Sequence, residues 1–434
     1  MIKIHTLTNG IKVIAYNMPS IHSFHLRMSV KGGSLIESKA KNGVAHFMEH
    51  MLVQGIPTHA TAEELSEYVE GIAGSYGAST SKLTVSYEIT VPISRMEDAL
   101  NIASQIFFEP LFVENAIEKE RIAVISEIRQ KQDSRSYKLN QFFLKTRYIK
   151  NSILQQSTGG SEKVVQNLKR NDLIQYWDKY FLPKNTYIFI TGKFDEDKAL
   201  KLLEKYYGKY QKKDNFAGFP RLTTDEFSDR SIVINSDKEL KINYVDLNFP
   251  ALKLTDSLNL RLKQLIALII LGRLRSSRLF KLLRYKKGLV YDVGASSSKM
   301  PDTGFVNISS EVEDIHLDNV VQLIAENLTK YINQGPTKEE VDFTKNYLTN
   351  NWLMAFDSPG SIADWLENEL LWRNEVKLPN DYIEAIKNIS AKEITEMMQQ
   401  HWNLKKLNLI VQGPIPIKEK GKAIQKFTNY LKDL

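Results

Sequence analysis

GVAHFMEHML, residues 43–52, sets two of the chain's eight histidines four positions apart, with a glutamate directly before the second. Val44, Phe47, Met48, Met51 and Leu52 recur at the spacing of one helix face, so the stretch predicts an amphipathic helix packed on a core. Residues four apart on such a helix lie one above the other, and His46 and His50 therefore aim both imidazoles at one point. Core packing alone does not call for that pair. An H-x-x-E-H string arises by chance in roughly one chain in a hundred of this length, which favours half of a metal site over an incidental pattern.

Composition limits what that site belongs to. A chain of 434 residues exceeds one ordinary core and calls for roughly two to four units. Hydrophobic content of 42% and charged content of 25% are those of a folded globular protein, without a low-complexity tract. The net charge of +7 arises from 58 basic and 51 acidic residues spread along the whole chain, which argues against a nucleic-acid surface. Cysteine is absent, so any metal must be held by nitrogen and oxygen. The opening MIKIHTLTNGIKVIAY lacks the continuous apolar run of a secretory signal and reads as a first strand, giving the expectation of a cytoplasmic protein. LIALIIL (265–271), the longest apolar run, is far short of the roughly 20 residues a membrane span needs, so no membrane insertion is expected.

The chain reads as two copies of one plan. Strand-like SFHLRMSV (23–30) and LTVSYEITV (83–91) alternate with the helical ENAIEKERIAVISEIRQKQ (114–132), the mixture of an α+β protein. DLIQYWDKYFLPKNTYIFITG (172–192) and EITEMMQQHWNLKKLNLIVQG (393–413) each run from an acid through a helical segment to a strand ending in glycine, an internal repeat. This predicts a zinc-binding N-terminal domain over 1–210, a polar linker over 211–229 and a homologous C-terminal domain over 230–434. The histidine pair does not recur in the second copy, so building the fold does not require it; function accounts for it better.

A catalytic zinc keeps three protein ligands and one water. His46 and His50 supply two, and Glu49, beside His50 and three residues from His46, is placed to take a proton from a water as general base. The third ligand is expected from the acidic helix 114–132, where Glu120 and Glu127 share a face two turns apart.

HFMEH (46–50) together with ERIAVISEI (120–128) resembles the inverzincin metallopeptidases of the pitrilysin and insulysin family, especially its short bacterial members similar to mitochondrial processing peptidase. The resemblance implies two homologous α/β-sandwich domains with mixed or antiparallel sheets and packed helices, one zinc per chain, Glu127 as third ligand with 76 residues between it and His50, and Glu120 as a supporting carboxylate. It extends to GASTSKLTVSYEITVP (77–92), similar to the family's substrate-binding edge strand, with Gly77, Ala78, Ser79 and Thr80 against the substrate. It extends also to SSRLFKLLRYKKGLVYDVGASSS (276–298), where the family's arginine and tyrosine, here Arg284 and Tyr291, hold substrate and stabilise the tetrahedral intermediate. A guanidinium and a phenol are donors suited to a carbonyl oxygen gaining charge. Gly77 and Ala78 stand where the family usually has Asn-Ala, so one substrate-facing amide is missing. His59 is expected to be exposed, and His5, His22, His25, His316 and His401 to be structural. The resulting expectation is a zinc endopeptidase acting on unstructured peptides, as a homodimer or paired with a related subunit. The other reading the family offers is a non-catalytic scaffold subunit.

Overall fold

Residues 2–17 turn back on themselves. Gly10 has φ +94°, which a residue with a side chain rarely adopts, and the Asn9-Gly10 turn folds β1 (Ile2–Thr6) antiparallel onto β2 (Lys12–Asn17). The single first strand expected there is thus a hairpin. Turn chemistry overrode a hydrophobic pattern that ran on through it.

The structure, a computed structural model, describes residues 2–414 apart from 214–217, 220–221, 223–225 and 374. Part of the expected linker at 211–229 and residues 415–434 of the expected C-terminal domain therefore lie outside the described residues.

The fold is α+β with two mixed sheets. Besides the hairpin, the first sheet holds β3 (Ser23–Lys31), β4 (Ser75–Thr80), β5 (Thr84–Pro92) and β6 (Thr186–Gly192), in the order β1-β2-β6-β3-β5-β4. The second holds β7 (Ser231–Ser236), β8 (Asn243–Pro250), β9 (Val290–Lys299), β10 (Gly304–Val312) and β11 (Asn408–Gly413), in the order β7-β11-β8-β10-β9. Each sheet has one parallel pair, β2 with β6 and β7 with β11, followed by antiparallel neighbours out to an edge strand, β4 or β9. The repeat holds to the residue. Arg27 of β3 pairs with Phe189, three before Gly192, and Asp246 of β8 pairs with Ile410, three before Gly413. The two edge strands even carry matching hexapeptides, GASTSK from Gly77 and GASSSK from Gly294, at matching register: Gly77 faces Glu88, the partner of Arg27, and Gly294 faces Ser309, the partner of Asp246.

Two compact units result, and neither is continuous in sequence. Lys138–Gln155 leave the first half and join the unit built on the second sheet, and Met354–Val376 join the unit built on the first. In the first unit one sheet face packs on helices α1 (Val44–Leu52), α2 (Ala62–Gly71), α3 (Met96–Phe108) and α4 (Glu114–Asp133), burying Phe47, Met48, Leu52, Leu100 and Phe107 with Leu26, Met28, Ile188 and Ile190. Each such side chain contributes about 1.5–3 kcal/mol of transfer free energy. The opposite face, with Ile14, Tyr187 and Phe189, is covered by Ile362, Leu366 and Leu370 of the helix Pro359–Arg373.

Candidate metal centre

α1 is nine residues long and buried along most of its surface, His46 included at 7% exposed. Glu49 and His50, at the boundary of the buried face, stay half exposed. α4 is held by Ile117, Val124, Ile125 and Ile128 in the core, which leaves Glu120 and Glu127 on the flank that meets α1. The helical spacing read from the sequence thus becomes a three-residue cluster spanning two helices.

The donor atoms converge. Glu127 Oε2 lies 3.4 Å from His46 Nε2 and 3.4 Å from His50 Nε2. All three donor atoms fall within 4.8 Å of one another, and among the described residues this is the one trio of such groups able to hold a metal. A tetrahedral ion with ligand distances of about 2.1 Å separates its ligands by about 3.4 Å, so both histidine–glutamate spacings match a zinc first shell. Two neutral imidazoles and a carboxylate are the donor set zinc takes in place of thiolates. The remaining His50 nitrogen, Nδ1, is 3.0 Å from Glu120 Oε2, an arrangement that fixes the ring's tautomer and orientation. Lys131, one turn beyond Glu127, bonds its other oxygen and leaves Oε2 for the histidines. Among the described residues the Nδ1 of His46 is buried without a partner, and a Cβ on Gly159 would lie 3.7 Å from it.

The electrostatics follow from this crowding. Burial, reinforced by the neighbouring His50, lowers His46 to about 4, keeping its imidazole neutral as a ligand must be. Burial alone would lower His50, but the Glu120 hydrogen bond and the Glu120, Glu49 and Glu127 charges raise it. Burial would raise Glu127, yet Lys131 and the two imidazoles hold it down. Glu49 is raised, chiefly by burial, with a hydrogen bond from Thr80 acting against the shift.

That bond joins the cluster to β4. Thr80 closes the edge strand, and its hydroxyl also lies 3.4 Å from the Ala45 carbonyl. Among the described residues Ser75–Thr80 pair with β5 on one side only, so Gly77, Ala78, Ser79 and Thr80 stand on a strand with a free edge. A Cβ at Gly77 would meet nothing within 4 Å, so packing does not demand glycine where the family usually has asparagine.

Arg284 and Tyr291 come together within the second unit. Arg284, on the π-helical turn Lys281–Lys286, donates to the Val290 carbonyl at 3.3 Å and sets its guanidinium 5.0 Å from the Tyr291 ring centroid. Tyr291, the second residue of β9, is 78% exposed, so it is not a core residue. His59, expected to be exposed, is half-buried: its ring packs 4.4 Å from Tyr68 and its Nδ1 bonds the Thr58 hydroxyl at 3.0 Å. His5 pairs with Glu196, and His25 is buried against Thr90.

Comparison with known proteins identifies the family. The model described as "Insulinase (Peptidase family M16)" matches residues 12–160 and that described as "Peptidase M16 inactive domain" matches residues 167–348. The chain belongs to the M16 peptidase family, of the short bacterial pitrilysin type. A Rickettsia felis protein named "Uncharacterized zinc protease" is 28% identical over 393 residues, 90% of this chain and 92% of that one. The crystal structure of a protease from Helicobacter pylori superposes with a TM-score of 0.84 at 18% identity, over 95% of this chain and 99% of that one. The periplasmic protease PqqL of Escherichia coli superposes with a TM-score of 0.82 at 19% identity; it takes in 99% of this chain, but only 50% of its own length is matched. Among the described residues no helix is long and apolar enough to cross a membrane.

Proposed function

We propose that this chain is a zinc-dependent endopeptidase for unstructured peptides, with His46, His50 and Glu127 as the metal ligands. The observation that carries the reading is the convergence of these three donors beside Glu49, on a helix that abuts a free sheet edge. Zinc, when bound, supplies a Lewis acid that acidifies a water and polarises a carbonyl. Glu49 takes the proton from the attacking water and returns it to the leaving amine. A raised affinity of its carboxylate for protons suits that double use. β4 receives the substrate as an added strand, pairing through backbone groups around Gly77–Thr80, which selects extended chains over folded ones. Arg284 and Tyr291 present donors for the charge that develops on the carbonyl oxygen.

Assembly follows from that division of residues between units. We assign the working form as a homodimer, in which each site takes His46, Glu49, His50 and Glu127 from one chain and Arg284 and Tyr291 from the other. That PqqL contains this fold in half its length supports the assignment. Pairing with a related subunit is the other arrangement that provides both sets. The scaffold reading has only Gly77 in its favour.

The test is hydrolysis of an unstructured peptide by wild type and Glu49→Gln. The variant is expected to keep its zinc and lose a factor of about 10²–10⁴ in rate, the usual contribution of a positioned general base. Equal rates would remove Glu49 from its role.

A further inference from the structure

We infer that Glu37 is a positioning residue of this site: its carboxylate fixes the start of α1 and thereby the aim of His46, Glu49 and His50. The assignment rests on the peptidase reading above. α1 starts without a cap of its own, because its N-cap is Gly43 (φ +103°) and no side-chain oxygen of the neighbouring residues meets the first-turn N–H groups. Glu37, six residues upstream and 5% exposed, meets them instead. Its Oε2 accepts from the Gly43 N–H at 2.9 Å and from the Asn42 side chain at 2.8 Å, and its Oε1 accepts from the Ala45 N–H at 2.7 Å. Burial pushes the Glu37 carboxyl up to about 7 while these donors pull it down, and in its ionised form it also meets the positive end of the helix dipole. With both oxygens engaged, the helix start is held at two points, one of them directly before His46.

The surroundings leave that start no slack. Asn42 also donates to the Ser157 carbonyl at 2.9 Å, and the Gly159-Gly160 backbone presses on the same turn: a Cβ on Gly160 would lie 2.2 Å from the Asn42 carbonyl oxygen. The segment that carries Glu37 is in turn tied to the turn that follows β4, through Ser34 N–H to the Ser81 carbonyl at 3.1 Å and Leu35 N–H to the Lys82 carbonyl at 2.9 Å. One stiff path therefore runs from the free sheet edge, through Glu37, to the helix bearing Glu49. The strand sets where a peptide lies, and Glu37 sets where the catalytic helix points relative to it.

Glu37→Gln keeps the volume but replaces one acceptor oxygen with a donor, so one of the two attachments faces an N–H it cannot bond. Three quantities are measured: zinc affinity, by competition with a chromophoric chelator; kcat and KM for an unstructured fluorogenic peptide at saturating zinc; and the melting of the metal-free protein. Zinc affinity is expected to fall about tenfold or more, as for outer residues that orient ligands. kcat is expected to fall by roughly 10–100-fold with KM changed less than about twofold, since a small misaim of the catalytic group costs rate and not strand pairing. Glu37→Asp, which keeps both oxygens on a shorter reach, is expected to fall between. A Glu37→Gln protein that melts lower yet binds zinc and turns over as wild type does would overturn the inference, leaving Glu37 a structural cap. Unsubstituted protein that takes up no zinc would strike the peptidase reading itself, and is told apart by that. Should neither variant fold, amide exchange in metal-free wild type decides: the Gly43 and Ala45 amides are expected to be as protected as the middle of α1, and free exchange would contradict the assignment.

Discussion

His50 uses its two ring nitrogens for different tasks, Nε2 toward Glu127 and Nδ1 toward Glu120. The two glutamates sit seven residues apart on one helix, so the sequence could nominate both and could not by spacing alone say which coordinates. The geometry separates them, since Glu127 meets both histidines and Glu120 meets one from behind. Glu127→Gln should therefore impair zinc binding most, and Glu120→Gln should weaken it about 10–100-fold while leaving all three ligands in place. Zinc competition titrations of the two variants check the order; a Glu120→Gln loss equal to that of Glu127→Gln would mean that both coordinate. His46, Glu49 and His50 were legible because helical spacing is a local property. Glu37 was not, because it caps α1 across a loop whose closure no periodicity records, and an acid five residues before an Asn-Gly pair carries no signal of its own.

At the scale of elements, the arms that cross between halves are pinned by charges of opposite sign at matching places. Arg27 in β3 bonds Glu88 of β5 at 3.2 Å and Glu367 of the incoming helix at 3.0 Å. Asp246, its counterpart in β8, takes Arg147 from the other arm at 3.1 and 3.2 Å, with the guanidinium 4.0 Å from the Phe305 ring centroid. Both members of the Arg147–Asp246 pair are buried. Arg147→Met should therefore destabilise the protein by about 3–5 kcal/mol, because it strands a buried carboxylate, and adding Asp246→Asn should recover part of that. Denaturant unfolding of the single and double variants checks this, and a single variant as stable as wild type would show the pair to be idle. The repeat read at 172–192 and 393–413 appears as helix then strand in both copies. Which sheet each arm covers was not legible, since an amphipathic helix shows that it has a partner and not which one.

For the whole molecule, duplication with divergence explains the placement of chemistry. The His46–His50–Glu127 cluster belongs to the first unit and the Arg284–Tyr291 pair to the second, at the turn that leads into the edge strand equivalent to β4. If the homodimer combines them, Glu49→Gln and Arg284→Ala homodimers should both be nearly dead, yet a mixed dimer holds one site with both lesions and one with neither. Equimolar reassortment should then restore about a quarter of wild-type activity, since about half the dimers are mixed and each has one intact site of two. Peptidase activity after subunit exchange, with mixed dimers confirmed by differential tags, reads this out. Mixed dimers that stay inactive would place the pair within its own chain's site or in that of a different subunit.

The central claim is that the donors of His46, His50 and Glu127 make this chain a zinc peptidase. It is tested most directly by stripping the protein with a chelator and titrating zinc back while following hydrolysis of an unstructured peptide. Activity is expected to rise with added zinc and break at about one zinc per chain, with His50→Ala showing neither uptake nor activity. Hydrolysis that is absent at every zinc concentration, or that persists in the stripped protein, would contradict it.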